Sequence, residues 1–170
     1  DDGIKIQNEI VKDIVSTMGG YYGILFKEIV KTAPSKISSN SGVLKAICSY
    51  HDYQCSFSIE NYANALSNLN EAVELDPNHA IAWAMLGEIH LASIALGLDN
   101  CKKTIEKSSH CIAKALNIDP NCQQAWYALT LISCFKKDQD NCLSAAEHCI
   151  KINPNSSGII SGVGCILIFA

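Results

Sequence analysis

Apolar residues recur at steps of three and four along most of the chain. That spacing lays them on one stripe of an α-helix, not on alternate faces of a strand. Downstream of Pro77 the stripe reads Ala80, Trp83, Leu86, Gly87, His90. After Pro120 it reads Gln123, Trp126, Leu129, Thr130, Ser133, and after Pro154 it reads Ser157, Ile160, Val163, Gly164, Leu167. A large residue, a branched one and a small one in that order predict a helix crossed closely by a second helix at the small position. The second helices carry small or apolar residues to match: Ala65, Leu69 and Ala72; Ser108, Ile112 and Ala115; Cys142, Ala146 and Cys149. Each ends on a similar stop, Asp76-Pro77-Asn78, Asp119-Pro120-Asn121 and Asn153-Pro154-Asn155. The proline biases its predecessor out of the helical region, and the asparagine after it is expected to cap the next helix.

Pro120 and Pro154 stand 34 residues apart, whereas Pro77 and Pro120 stand 43 apart. The nine extra residues fall around Ala92 to Lys107, where Asp99 or Asn100 can start a helix. They predict lengthened helices or a longer turn. The 34-residue unit, the Trp83-x-x-Leu86-Gly87 opening and the closing proline resemble the tetratricopeptide repeat family, over residues 58 to 170. The resemblance implies an all-α fold, a right-handed superhelical stack of antiparallel helix hairpins, over residues 42–170. The units fall at about 42–77, 78–120, 121–154 and a truncated 155–170. The first unit is in register only in its second half. Its opening helix, Val43 to Phe57, is aromatic (Tyr50, Tyr53, Phe57) but lacks the Trp-x-x-Leu-Gly spacing. The last unit has only its first helix, which predicts exposure of Ile159, Ile166 and Phe169.

Residues 1–41 follow another pattern. Ile4, Ile6, Ile10, Val11, Ile14, Val15 and Met18 form an apolar helical face; Gly19, Gly20 and Gly23 interrupt it; Ile24, Leu25, Ile29 and Val30 resume it. The stretch from Gln7 to Gly23 resembles the junction of bacterial multidomain proteins in which a TolB-like domain precedes tetratricopeptide repeats, often behind an adenylate cyclase or winged-helix domain. Thr32 to Gly42, rich in serine with one proline, reads as a linker between this helical arm and the array.

Composition narrows the function. The net charge is -4, and all thirteen basic residues are lysines. Nucleic acid and anionic membranes reward a basic surface, so neither is expected as a partner, and the bidentate phosphate grip of arginine is lacking. Nine cysteines is a high, odd count; Cys111, Cys134, Cys142 and Cys149 fall within helical patterns as small hydrophobes. That usage, with no leader sequence at Asp1-Asp2-Gly3, fits a reducing, cytoplasmic setting and a fragment of a larger protein. The apolar tail from Gly158 to Ala170 is too short and glycine-rich to span a bilayer.

His110 adjoins Cys111 and His148 adjoins Cys149, but helix neighbours point about 100° apart and do not pair. No Cys-x-x-Cys occurs; Cys48/Cys55 and Cys142/Cys149 are seven apart, the spacing of one helix face. Met18 to Gly23 has glycines without the lysine of a phosphate loop. Asp138/Asp140 and Glu71/Glu74 read as helix-end or solvated charges, and Cys101 or Cys122 as exposed helix-end thiols open to adventitious oxidation. No catalytic residue, metal site or cofactor is expected. In the family resembled, the first helix of each hairpin lines a concave groove. By motif position that implies Ile81, Ala84, Glu88 and Leu91 in one unit and Gln124, Tyr127, Leu131 and Cys134 in the next. In the last it implies Gly158, Ser161, Cys165 and Ile168. The lysines and asparagines of the family's carboxylate clamp are missing there, so an apolar helix or extended segment is the expected ligand, supplied by a protein or by the chain's own N-terminal arm. The function implied is a protein-interaction scaffold, the repeat module of a larger bacterial signalling or regulatory protein. A thiol- or metal-dependent enzyme built on the Cys/His excess is the alternative, and self-association through exposed terminal helices a further possibility.

Overall fold

The computed structural model describes residues 42–99 and 101–170, with Ile6, Ile10, Val11, Asp13 and Ile14 of the arm; for Cys101 it describes the backbone alone. Between residues 42 and 170 run α1 (Gly42–Cys55), α2 (Ile59–Leu75), α3 (Ala80–Ala95), α4 (Cys101–Ile118), α5 (Gln123–Phe135), α6 (Gln139–Ile152) and α7 (Ser157–Phe169). No strand occurs among the described residues. The fold is all-α, a tetratricopeptide-like α-solenoid, in which α1/α2, α3/α4 and α5/α6 pair as hairpins and α7 packs on α5.

The three stops fold alike. Oδ1 of Asp76, Asp119 and Asn153 accepts the backbone N–H of Asn78, Asn121 and Asn155 at 3.2, 2.9 and 3.0 Å. One residue on, the N–H groups of His79, Cys122 and Ser156 donate to the carbonyls of Asp76, Asp119 and Asn153. Each stop is thus an Asx-supported β-turn with proline at its second position, where the ring's fixed φ fits. This corrects the expectation that the asparagines cap the next helices. The N-caps are His79, Cys122 and Ser156, because each asparagine is spent inside the turn. The following tryptophan locks the turn: Trp83 Nε1 donates to the Pro77 carbonyl at 2.9 Å and Trp126 Nε1 to that of Pro120 at 2.8 Å. Lys114 lies 4.3 Å from the Trp83 ring centroid, and His148, 34 residues later, stacks on Trp126 at 4.1 Å.

Within the hairpins the small position sets the crossing. A Cβ on Gly87 would stand 2.6 Å from Ile112 Cδ1 and 3.3 Å from the Ser108 carbonyl, so the α4 backbone closes onto α3 where glycine leaves room. In the next hairpin Thr130 takes that place, and the Cys142 thiol meets its carbonyl at 3.5 Å. Gln123, at the start of α5, donates to the carbonyls of Cys149 and Asn153 at the end of α6, which fixes the antiparallel pairing. The nine-residue excess is shared out: α3 has 16 residues against 13 in α5, α4 has 18 against 14 in α6, and five residues of sequence separate α3 from α4 against three between α5 and α6. Both turns open with a Schellman closure, Leu98 N–H to the Ser93 carbonyl and Asp138 N–H to that of Ser133. The left-handed residue is Gly97 in one (φ 67°) and Lys137 in the other (φ 56°).

The first helices of successive hairpins touch along the stack, whereas the second helices hardly meet. Side chains between them form continuous cores, with Tyr50, Leu69, Met85 and Ile89 in one, Leu91, Ile112 and Ile132 in the next, and Cys149 and Val163 in the third. At the C-terminal end Ile159 and Ile166 are buried, contrary to the expected exposure, because α7 turns that face inward; Phe169 is 83% exposed. The described arm residues are helical, Ile6, Ile10, Val11 and Ile14 are each more than half exposed, and Asp13 Oδ1 accepts from Asn155 Nδ2 at 3.1 Å. The glycines at 19, 20 and 23 and residues 32–41 of the linker lie outside the described residues.

Candidate functional site: a groove across the first helices

The first helices α1, α3 and α5 each turn a face to one side of the stack, aromatic in part on α1 and α5 and mainly aliphatic on α3. Between them lies an open groove of about 260 Å³. α1 and the residues after it supply Tyr50, Tyr53, Gln54 and Phe57, α3 supplies Glu88, Leu91 and Ala95, and α5 supplies Tyr127, Leu131 and Phe135. The α1 positions follow from helical spacing, since Tyr50, Tyr53, Gln54 and Phe57 share one face at steps of three and four. Tyr53 and Phe57 meet edge to face, 5.4 Å between centroids and at 90°. Tyr127 is held by a glycine of α7: a Cβ on Gly162 would fall 2.8 Å from its Cε2.

Glu88 forms the polar floor. It is 7% exposed. Gln54 Nε2 donates to its Oε1 at 2.9 Å, and Gln124 Nε2 donates to its Oε2. Gln54 Nε2 also lies 2.6 Å from the Tyr50 hydroxyl, which itself bonds the carboxyl group. One carboxyl group therefore ties together three successive hairpins, through Gln54 on α1, Glu88 on α3 and Gln124 on α5. Burial pushes the Glu88 carboxyl up to about 7, against the hydrogen bonds from Tyr50, Gln124 and Gln54, which favour the charged form. Burial, and next the Glu88 charge, raises the neighbouring Tyr53 phenol.

The residues assigned to a groove from motif position divide into two sets. Glu88, Leu91, Tyr127 and Leu131 line it. Gln124 lies behind Glu88, buried and bonded to it. Ala84 is fully buried in the core, and Ile81 is half-buried between two core clusters. Cys134 faces α7, its thiol 4.0 Å from the Ile166 carbonyl. In α7, Gly158, Ser161, Cys165 and Ile168 are all exposed, outside the groove lining. Motif position gave no assignment to Tyr50, Tyr53, Phe57 or Phe135. The aromatic cluster of Val43 to Phe57 was the available signal, but without the Trp-x-x-Leu-Gly register it could not be placed on the inner face.

The thiols are distributed between packing and surface. Cys111, Cys122, Cys142 and Cys149 are buried. Burial raises Cys111 to about 11 and Cys149 to about 12, far from a nucleophile's range. The burial of Cys122 corrects its expected place at an exposed helix end: as N-cap of α5 it sits beneath the turn, against the hairpin core. Cys55 and Cys165 are exposed, and Cys55 Sγ lies 3.6 Å from His51 Nδ1, one turn away in α1. Among the described residues no group of three or more His, Cys, Asp or Glu is placed to hold a metal ion, and no helix is long and apolar enough to cross a membrane. Asp138, the N-cap of α6, is held below the usual carboxylate range by the Asn141 side-chain and backbone donors, which makes it a helix-start residue.

Comparison with known proteins supports the repeat reading. The chain is 28% identical over 111 residues to Anaphase-promoting complex subunit 3 of Schizosaccharomyces pombe, covering 65% of this chain and 15% of that protein. It is 33% identical over 60 residues to Superkiller complex protein 3 of Mus musculus, 35% of this chain and 4% of the relative. The human protein of the same name matches over 46 residues at 37% identity, covering 27% of this chain and 3% of that protein. The chain thus spans a small part of each relative. Residues 54–79, from the end of α1 through α2 to the N-cap of α3, match the tetratricopeptide repeat, and the chain carries at least this one such repeat.

Proposed function

We propose that the chain is a protein-interaction scaffold whose partner segment enters the groove between α1, α3 and α5. The groove itself carries this reading: an open, partly aromatic concavity built from the first helices of three hairpins, with the Glu88 carboxyl group at its floor. Peptide grooves of this kind use apolar walls for affinity and few polar groups for orientation. Glu88, Leu91, Tyr127 and Leu131 are the contact residues we assign from the earlier expectation, joined by Tyr53, Phe57 and Phe135. Ala84, Ile81, Gln124 and Cys134 hold the helices that present them.

The relatives are named as members of complexes, from a fungus and from mammals, and they favour a segment of a large assembly subunit. The bacterial signalling setting rests on the sequence of the arm alone. A cytoplasmic location is our reading of the unpaired core thiols, which a reducing compartment preserves. The thiol- or metal-dependent enzyme is disfavoured by the raised pKa values of Cys111 and Cys149.

The test is selection from a displayed library of helical and extended peptides. Leu131→Glu, in the groove, should abolish binding of the enriched peptides. Leu143→Glu, on the outer face of α6 where Leu143 is 52% exposed, should leave it intact. Equal loss from both variants, or loss from Leu143→Glu alone, would sink the assignment.

A further inference from the structure

The groove sets aromatic rings beside a carboxyl group, and no basic side chain among the described residues lines it. Among the described residues the lining contains no lysine and no histidine, and the ion pair of Lys45 with Glu71, at 3.8 Å, lies elsewhere on the surface. The phenols of Tyr50 and Tyr53 from α1 interact with the Glu88 carboxyl group, and the phenol of Tyr127 from α5 lines the same groove. A buried carboxylate without a cation is costly, and a cation brought close to it above that water-poor floor gains more than at the surface. The surrounding rings add a second attraction, since aromatic faces are negative. Tyr53 and Phe57 pack edge to face, 5.4 Å apart and at right angles, along one side of the groove.

We propose that the groove seats the ammonium group of a lysine side chain borne by the partner segment, with Tyr53, Phe57 and Tyr127 as walls and Glu88 as the counter-charge. This rests on the groove being the partner site. Lysine is favoured over arginine by the state of the carboxyl group: Gln54 holds one oxygen, Gln124 the other, and Tyr50 bonds it as well. No free carboxylate edge is left for a bidentate guanidinium, whereas a compact ammonium needs only the field of the charge and the ring faces. The stem methylenes would lie along Leu91 and Leu131. The net charge of -4 and the lack of arginine make the chain complementary to a basic partner.

The experiment uses the whole chain and three probes: N-acetyl-lysine methylamide, the norleucine analogue with the same stem and no charge, and the arginine analogue. Binding is read from the ring protons of the groove tyrosines and the side-chain amides of Gln54 and Gln124 by NMR. The lysine probe should saturate with a dissociation constant on the order of a millimolar, as suits a ligand of this size. The norleucine probe should bind at least about tenfold more weakly, and Glu88→Gln should bring lysine down to the norleucine level. In the native chain the lysine probe should bind about tenfold more weakly at pH 6 than at pH 8, because it requires the ionised carboxyl group, while norleucine should not change. That pH comparison needs no variant, so it stands even if Glu88→Gln misfolds. Norleucine binding as tightly as lysine overturns the ammonium seat and leaves the groove as a purely apolar partner site. Arginine binding more tightly than lysine also overturns it. No shift at the groove with any probe, while library peptides still bind there, overturns the seat alone; failure of both removes the groove reading with it.

Discussion

Glu88 offers a quantitative test of how the groove is built. Its folded-state pKa of about 7 lies above the ordinary value of 4.5, so the folded chain holds the proton more tightly than the unfolded chain. The protonated group therefore contributes stability that is fully present below pH 4.5 and is lost as pH rises through 7. Integrating the linkage between these two values gives a loss on the order of 2–3 kcal/mol between pH 5 and pH 8. Other groups titrate in the same range, so the quantity to measure is the difference between the native chain and Glu88→Gln, whose amide keeps the shape and cannot ionise. Urea unfolding at pH 5 and pH 8, at equal ionic strength, should show the native chain's advantage over the variant shrinking by roughly 2–3 kcal/mol. A difference that stays constant across that interval would mean that Glu88 titrates like a solvated side chain. The water-poor floor described for the groove would then be wrong.

Three further outcomes follow from named contacts. Gly87→Val should cost about 2 kcal/mol or more by driving α4 off α3, whereas Gly164→Ala, where nothing lies within 4 Å of the new Cβ, should stabilise α7 by about 0.5–1 kcal/mol; urea midpoints measure both. The Thr104 hydroxyl is buried with no hydrogen-bond partner, so Thr104→Val should raise stability by about 1 kcal/mol in the same assay. Under native conditions a thiol reagent should label Cys55 and Cys165 first, leaving Cys111, Cys122, Cys142 and Cys149 to react at the unfolding rate; mass spectrometry of the labelled peptides reads the order.

Much of the scaffold was legible because it is written locally. The Asp-Pro-Asn stops, the tryptophans behind them and the glycine or threonine at each crossing act within about ten residues or recur at a fixed period, so one copy explains the next. Even the nine-residue insertion announced its outcome, since α3, α4 and the turn between them each lengthen. The cap moved by one residue because proline turns the preceding Asp or Asn side chain onto the asparagine's N–H, a competition between two short-range bonds that composition alone does not decide. The burial of Ile159 and Ile166 depended on the rotation of α7 against α5, which no stripe in a half-unit specifies. The groove was legible in part for a similar reason. Motif position located Glu88, Leu91, Tyr127 and Leu131 on the first helices. It could not show that Gln54 and Gln124, 34 and 36 residues away from Glu88, converge on its carboxyl group and bury it. Nor could it bring Tyr50, Tyr53 and Phe57 onto the same face, since α1 lacks the opening motif.

The most direct measurement is amide chemical-shift mapping of the whole chain during titration with a library-selected peptide. Binding in the groove predicts shifts clustered on α1, α3 and α5 around Tyr53, Glu88, Tyr127 and Leu131, and little change along the outer faces of α2, α4 and α6. A cluster on those outer faces, or around Ile168 and Phe169 at the end of α7, would contradict it.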